Sequence, residues 1–133
     1  MSESTASQDS SQDLELFLSQ VSESIVASDT SVAVAIVKRA ATIAARMRDE
    51  GLVTEYKTSI SDVVTAADRA AEKFVVEALA ALRPEDGILG EEGSAKESQS
   101  GRTWVIDPVD GTYNFTTGSD YWCSALAVSY THL

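Results

Sequence analysis

The chain has 133 residues, 44% hydrophobic and 23% charged, which fits one globular domain and leaves no room for two ordinary ones. Ten Lys and Arg against 21 Asp and Glu give a net charge of −11, disfavouring an electrostatic grip on nucleic acid or an acidic lipid face. The start MSESTASQDS has neither the basic nor the apolar region of a secretory signal, and no stretch approaches the ~18–20 apolar residues of a membrane span. Cys123 is the only cysteine, so an internal disulfide framework is excluded and a reducing cytoplasm suits the chain.

Taken in chain order, Met1 to Gln12 carries five serines and, after Met1, no large hydrophobe, a composition that predicts a disordered acidic tail. Leu14, Phe17, Leu18, Val21 and Ile25 recur at helical spacing and predict an extra amphipathic helix over 13–29. Ser28 to Ser31 breaks it and offers capping oxygens to a second helix. There Val32, Ile36, Ala40, Ile43 and Met47 form the stripe, Lys38, Arg39, Arg46 and Asp49 lie off it, and Gly51 serves as the C-terminal cap. Leu52 to Thr58 is expected as a strand, and Ser59 to Ser61 as a turn into a third helix. That helix buries Ala71, Phe74, Val75, Ala78 and Leu82, leaves Arg69, Glu72, Lys73 and Glu77 outside, and ends at Pro84. Gly87 to Gly90 and Thr103 to Ile106 read as strands separated by a polar loop, and a last strand begins near Trp122. Helices followed by sheet, with one helix embedded, make the class mixed α and β.

Charge is unevenly spread. Up to Asp29 there are six acids and no base, which a solvated face explains. Glu91, Glu92, Asp107 and Asp110, by contrast, bunch beside apolar strands, where uncompensated burial of carboxylates is costly and bound cations would compensate. In Asp107-Pro108-Val109-Asp110-Gly111-Thr112 a rigid turn can aim two carboxylates and the Val109 carbonyl at one spot, the oxygen set that hard divalent cations prefer. The alternative is an Asp-Gly turn capped by Thr112. The pattern is not an EF-hand, because the alternating ligands and closing glutamate are missing. Glu91 and Glu92 are either solvated or, if the two strand ends lie side by side, face Asp107 and Asp110 across a repulsion that metal ions screen. Thr65-Ala-Ala-Asp68 matches a helix capping box. Lys57 reads as a surface lysine, His132 as a poor catalytic candidate, Trp122 and Cys123 as strand packing, and Trp104 as core.

These pieces occur together in one order: Lys57, Asp62-Val-Val-Thr-Ala-Ala-Asp68, Gly90-Glu91-Glu92, then Trp104-Val-Ile-Asp107-Pro-Val-Asp110-Gly-Thr112-Tyr-Asn114-Phe115. The ordered set closely resembles the amino-terminal half of the inositol monophosphatase family of magnesium-dependent, lithium-sensitive phosphatases, over roughly Ser31 to Val128. The resemblance implies a layered α/β sandwich of the sugar-phosphatase type, its helices followed by a mostly antiparallel sheet. It implies Glu91, Asp107, Asp110 and the Val109 carbonyl as ligands of two or more Mg2+ ions. Gly111 and Thr112 match the amides that receive phosphate, with Asp110 beside them. Asp68 matches the partner of the Thr112 hydroxyl, the pair helping to activate water, and Lys57 matches a supporting lysine near the metals. Glu92 matches the second glutamate of the motif, with no direct role at the metals.

The activity implied is hydrolysis of a small-molecule phosphate monoester in the cytoplasm, by default myo-inositol monophosphate. Relatives with similar motifs take histidinol phosphate, fructose bisphosphate or phosphoadenosine phosphate. Family members are considerably longer, and their carboxy-terminal half supplies another metal-binding aspartate and most groups that recognise the alcohol. Residues 30–133 are therefore expected to be the incomplete amino-terminal part of a catalytic domain, with Ser129 to Leu133 of doubtful origin. A second hypothesis is an inactive module that binds a metal or a partner chain. The extra amino-terminal helix has two alternatives, packing on the domain or supporting a homodimer.

Overall fold

The computed structural model describes residues 2–53 and 59–130. In chain order the elements are α1 (Ser2–Gln20), α2 (Glu23–Val26), α3 (Asp29–Val53), α4 (Ile60–Leu82), β1 (Gly87–Gly90), β2 (Ala95–Lys96), β3 (Arg102–Asp110), α5 (Thr112–Thr116) and β4 (Cys123–Tyr130). Among the described residues no helix is long and apolar enough to cross a membrane.

Helix α3 begins where the Ser28 hydroxyl accepts the Ser31 N–H at 3.0 Å. Its stripe, Val32, Ile36, Ala40, Ile43 and Ala44, is buried, and the small residues let α4 come close. Gly51 does not cap α3, and the strand expected from Leu52 is instead the last turn of the helix. The reason is steric: a Cβ on Gly51 would sit 2.5 Å from Val63 Cγ1, so the missing side chain serves a helix crossing rather than a stop. The rest of that expected strand, with Lys57, lies outside the described residues, as does His132.

Helix α4 starts six residues, nearly two turns, earlier than the Thr65–Asp68 motif suggests. Ser59 is the N-cap, its hydroxyl accepting the Asp62 N–H at 3.1 Å. Thr65 and Asp68 therefore lie inside the helix, and the Thr65 hydroxyl simply donates to the Ser61 carbonyl at 2.9 Å. Val64, Ala67, Ala71, Phe74, Val75, Ala78 and Leu79 pack inward as the periodicity predicts. Glu72, expected outside, is buried with them at 2% exposure.

The expected disorder through Gln12 is replaced by helix from Ser2. No Gly or Pro interrupts this stretch, and its anchored carboxy-terminal half offers a template from which further turns propagate cheaply. The anchor is Phe17, edge-on to Phe74 with centroids 5.3 Å apart, together with Asp13, whose Oδ2 pairs with Arg46 at 2.6 Å. Burial of Phe17 contributes about 2 kcal/mol. The expected single helix over 13–29 is broken at Gln20, and a short second one starts under the Ser22 hydroxyl. Helix α1 packs on the domain through Phe17 and Asp13.

The sheet has the order β2-β1-β3-β4, with β1 parallel to β3 and both outer pairings antiparallel. The sheet is thus mixed, and helices followed by a largely antiparallel sheet describe it. Ile88, Trp104 and Ile106 face the helices and are buried, whereas Leu89 and Val105 on the other face are 56% and 42% exposed. The parallel pair has the largest consequence for function. It puts the carboxy-terminal tips of β1 and β3 on the same edge, with Gly90 opposite Ile106.

Candidate functional site

At that edge the chain delivers two acidic motifs to one corner. The Glu91 N–H donates to the Ile106 carbonyl at 3.1 Å, which sets Glu91 beside Asp107. Strand β3 does not stop at Ile106 as expected but runs on to Asp110 through a bulge: Asp107 pairs with Ala125 and Asp110 with Cys123. The extra residue re-aims the backbone at Pro108 and Val109. Pro108 lacks an N–H to spend there, and its carbonyl accepts from the Ser124 hydroxyl at 2.7 Å. Gly111 then turns the chain into α5 with φ 95° and ψ 44°. A side chain is doubly excluded at Gly111, since its Cβ would also meet the Tyr121 carbonyl at 3.1 Å.

The electrostatics of the corner are those of unmet negative charge. Burial first, then a hydrogen bond to the Glu91 carboxyl, its charge and that of Asp110 push the Asp107 pKa up to about 6, against a lowering bond from the Val109 N–H. Asp68 reaches the same field from α4, and its pKa is pushed up to about 7 by burial and by Glu92, Asp107, Glu91 and Glu72. Its Oδ1 is buried with no hydrogen-bond partner.

The expected residues are brought together unevenly. Glu91 and Asp110 lie close enough to Asp107 to raise its pKa and Asp68 faces the same acids from α4, while the Val109 carbonyl accepts from the Thr112 hydroxyl. The expected bond between Asp68 and the Thr112 hydroxyl is not formed. Thr112 Oγ1 donates to the Val109 carbonyl at 3.4 Å, a weak local bond that the five-residue α5 allows by its tight start. Among the described residues no three acidic, His or Cys side chains close into a metal cage. The chemistry nevertheless fits a hard divalent cation: all donors are oxygen, Asp107 is crowded by the charges of Glu91 and Asp110, and a buried Asp68 oxygen is orphaned. Cys123, expected as strand packing, is exposed, while Trp122 packs edge-on to Phe115 at 4.7 Å between centroids.

Two residues escaped the sequence reading. Arg48, 5% exposed, donates to the Phe115 carbonyl at 3.3 Å and the Ser119 carbonyl at 2.9 Å, holding the carboxy-terminal end of α5. Its guanidinium lies 4.8 Å from the Phe115 ring centroid and 5.8 Å from that of Trp122. The signal was its place on the α3 stripe, four residues after Ala44. Glu72 is the other; it lies four residues after Asp68 and so on the same helical face. Its two oxygens accept the Glu92 N–H at 3.0 Å and the Ser94 N–H at 3.1 Å.

Likeness to known proteins agrees with this geometry. The model of the inositol monophosphatase family matches residues 26–133. A histidinol-phosphatase of Mycobacterium tuberculosis is 48% identical over 65 residues, 49% of this chain and 25% of that protein. A fructose-1,6-bisphosphatase/inositol-1-monophosphatase of Thermotoga maritima is 38% identical over 73 residues, 55% of this chain and 28% of that protein. Among solved structures, the extragenic suppressor protein suhB of Bartonella henselae superposes with a TM-score of 0.64 at 28% identity, covering 76% of this chain and 38% of that one. The chain thus spans between about a fifth and two fifths of the proteins it matches.

Proposed function

Because the chain belongs to the inositol monophosphatase family, we propose that the whole protein is a magnesium-dependent hydrolase of a small-molecule phosphate monoester. Myo-inositol monophosphate is the default substrate. Histidinol phosphate is the second reading, favoured by the 48% identity to a histidinol-phosphatase. A cytoplasmic location accords with the lone cysteine. The observation that carries the reading is the parallel register that sets Glu91 against Asp107, joined by the orphaned Asp68 oxygen.

In this reading Glu91, Asp107, Asp110 and the Val109 carbonyl hold the ions. Magnesium, when bound, supplies positive charge to a dianionic ester and acts as a Lewis acid. The protein's own groups do the rest. The N–H groups of Gly111 and Thr112, at the start of α5, receive phosphate oxygens, with Asp110 alongside. Water adds to phosphorus, the ester P–O bond breaks, and the departing alkoxide takes up a proton from solvent water, leaving alcohol and inorganic phosphate. Asp68 Oδ1 accepts the proton that the water sheds, with the Thr112 hydroxyl as relay once it leaves the Val109 carbonyl. Lys57 has a supporting electrostatic role.

The 133-residue chain is, on this proposal, the amino-terminal part of the enzyme and by itself turns over little or nothing. The unclosed cage favours that view, as it favours the alternative of a cation- or partner-binding module without turnover. Phosphate release by the full-length protein from inositol, histidinol, fructose and adenosine phosphoesters decides between them. Release that needs magnesium, stops with chelator and is lost in Asp110→Asn is expected. No release from any ester, with Asp110→Asn unchanged, would sink the hydrolase.

A further inference from the structure

Glu72 is the least economical residue in α4. It is a carboxylate at 2% exposure, among the buried Ala, Val, Phe and Leu side chains of α4, and its charge adds to the field already acting on Asp68. For packing alone, an uncharged side chain of similar volume would do better, because a buried carboxylate must recover its hydration from the protein. What Glu72 obtains in return is specific. Its two oxygens accept the N–H groups of Glu92 and Ser94, spanning the turn between β1 and β2. Bonds from amides to a carboxylate are about twice as strong as neutral ones. The opposite wall of this contact is Gly90, where a Cβ would lie 2.5 Å from Glu72 Oε2, so the turn closes on the carboxylate without room for a methyl group.

The clamped turn carries Glu91. That residue is held at its amide by the Ile106 carbonyl and, immediately afterwards, at the Glu92 amide by Glu72. Two fixed peptide groups in succession leave the Glu91 Cα–Cβ direction no freedom of its own. We infer that Glu72 is a positioning residue for the cation corner: by clamping the Glu92 and Ser94 amides it holds the Glu91 carboxylate against Asp107. The inference rests on the hydrolase reading and adds to it a residue outside the set that meets ion or substrate.

The test uses the full-length protein, titrated with magnesium chloride in a calorimeter and assayed with myo-inositol monophosphate over a range of magnesium concentrations. Glu72→Gln keeps the shape but turns an acceptor into an amide donor facing an N–H. Gly90→Ala keeps the charge and pushes the clamp aside. Glu77→Gln, on the same helix, controls for loss of one negative charge. Glu72→Gln and Gly90→Ala are expected to weaken magnesium binding about 10–100-fold, the range for a group that orients a ligand, with kcat largely restored at saturating magnesium. Glu77→Gln leaves both unchanged. Magnesium affinity unchanged in Glu72→Gln, with only a lowered melting temperature, makes Glu72 a merely structural group and overturns the inference. If Glu72→Gln does not fold, Gly90→Ala decides, and parental affinity in it overturns the inference equally. Parent protein that binds no magnesium brings down the hydrolase reading and this inference with it, an outcome distinct from a binding parent with indifferent variants.

Discussion

The two ends of the β1–β3 strand pair treat buried carboxylates in opposite ways. At the amino-terminal end Asp86 is 1% exposed, yet Arg102, the Ser100 hydroxyl and the Trp104 indole N–H (2.9 Å) all donate to it. Burial alone would raise its pKa, but these three donors hold it below the ordinary carboxylate range. At the carboxy-terminal end Asp107 and Asp68 are raised to about 6 and about 7, by burial first and then by neighbouring acids. Burial is common to both ends; donors are not. Asp86 is a finished structural site, whereas the Asp107 corner is a site whose positive charge must come from outside the chain.

That contrast sharpens or breaks under mutation. The largest effect is expected from Asp107→Asn in the full-length protein. Phosphate release should fall about a hundredfold to a thousandfold, as when one preorganised electrostatic partner of a transition state is lost. Without divalent cations the same variant should melt no lower than its parent, since it removes repulsion. A large drop in melting temperature would mean that the corner is structural after all. Asp86→Ala should do the reverse, costing about 2–4 kcal/mol in urea unfolding by orphaning the buried Trp104 N–H and stripping Arg102 of its partner. Unchanged stability would remove the distinction between the two ends.

Arg48→Met should follow at about 1–2 kcal/mol, from two lost carbonyl bonds and two ring contacts at the end of α5. Its signature is faster hydrogen exchange at Gly118 and Ser119 than at α4, and equal exchange would argue against a role in holding α5. The last expectation concerns pH. Asp68 has a folded pKa raised from 3.8 to about 7, so the folded state binds the proton more tightly than the unfolded one. Its contribution is fully present below 3.8 and is lost as pH rises through about 7. In chelator, melting temperature should therefore decline between these limits, and Asp68→Asn should flatten the decline. A slope of the same size in both proteins would assign it elsewhere.

Much of this was legible from residue order. The stripes of α3 and α4, the β1 tip and the Gly111 turn follow from local periodicity and backbone chemistry, and the ordered motifs pointed to Glu91, Asp107 and Asp110 before any geometry was known. Glu72 was not legible, because a lone glutamate at the border of an apolar stripe reads as solvent-facing until a turn some twenty residues downstream presents its amides. Gly51 misled for a related reason: a helix-stopping residue by local rule became the contact point of two helices. Thr65 and Asp68 matched a cap that Ser59 actually provides, and the Thr112 hydroxyl donates to the Val109 carbonyl instead of to Asp68.

By itself, then, the amino-acid order determined which residues are apolar, which turns need glycine or proline, and which oxygens are available, since these depend on neighbours a few positions away. Tertiary structure alone decided that β1 and β3 run parallel and that their acidic tips therefore meet on one edge. It alone decided that Asp86 finds donors while Asp68 and Asp107 are left among acids. Pairing between segments far apart in the chain is set by the shared burial of Ile88, Trp104 and Ile106 against the helices, a property of the packed whole that no local window contains.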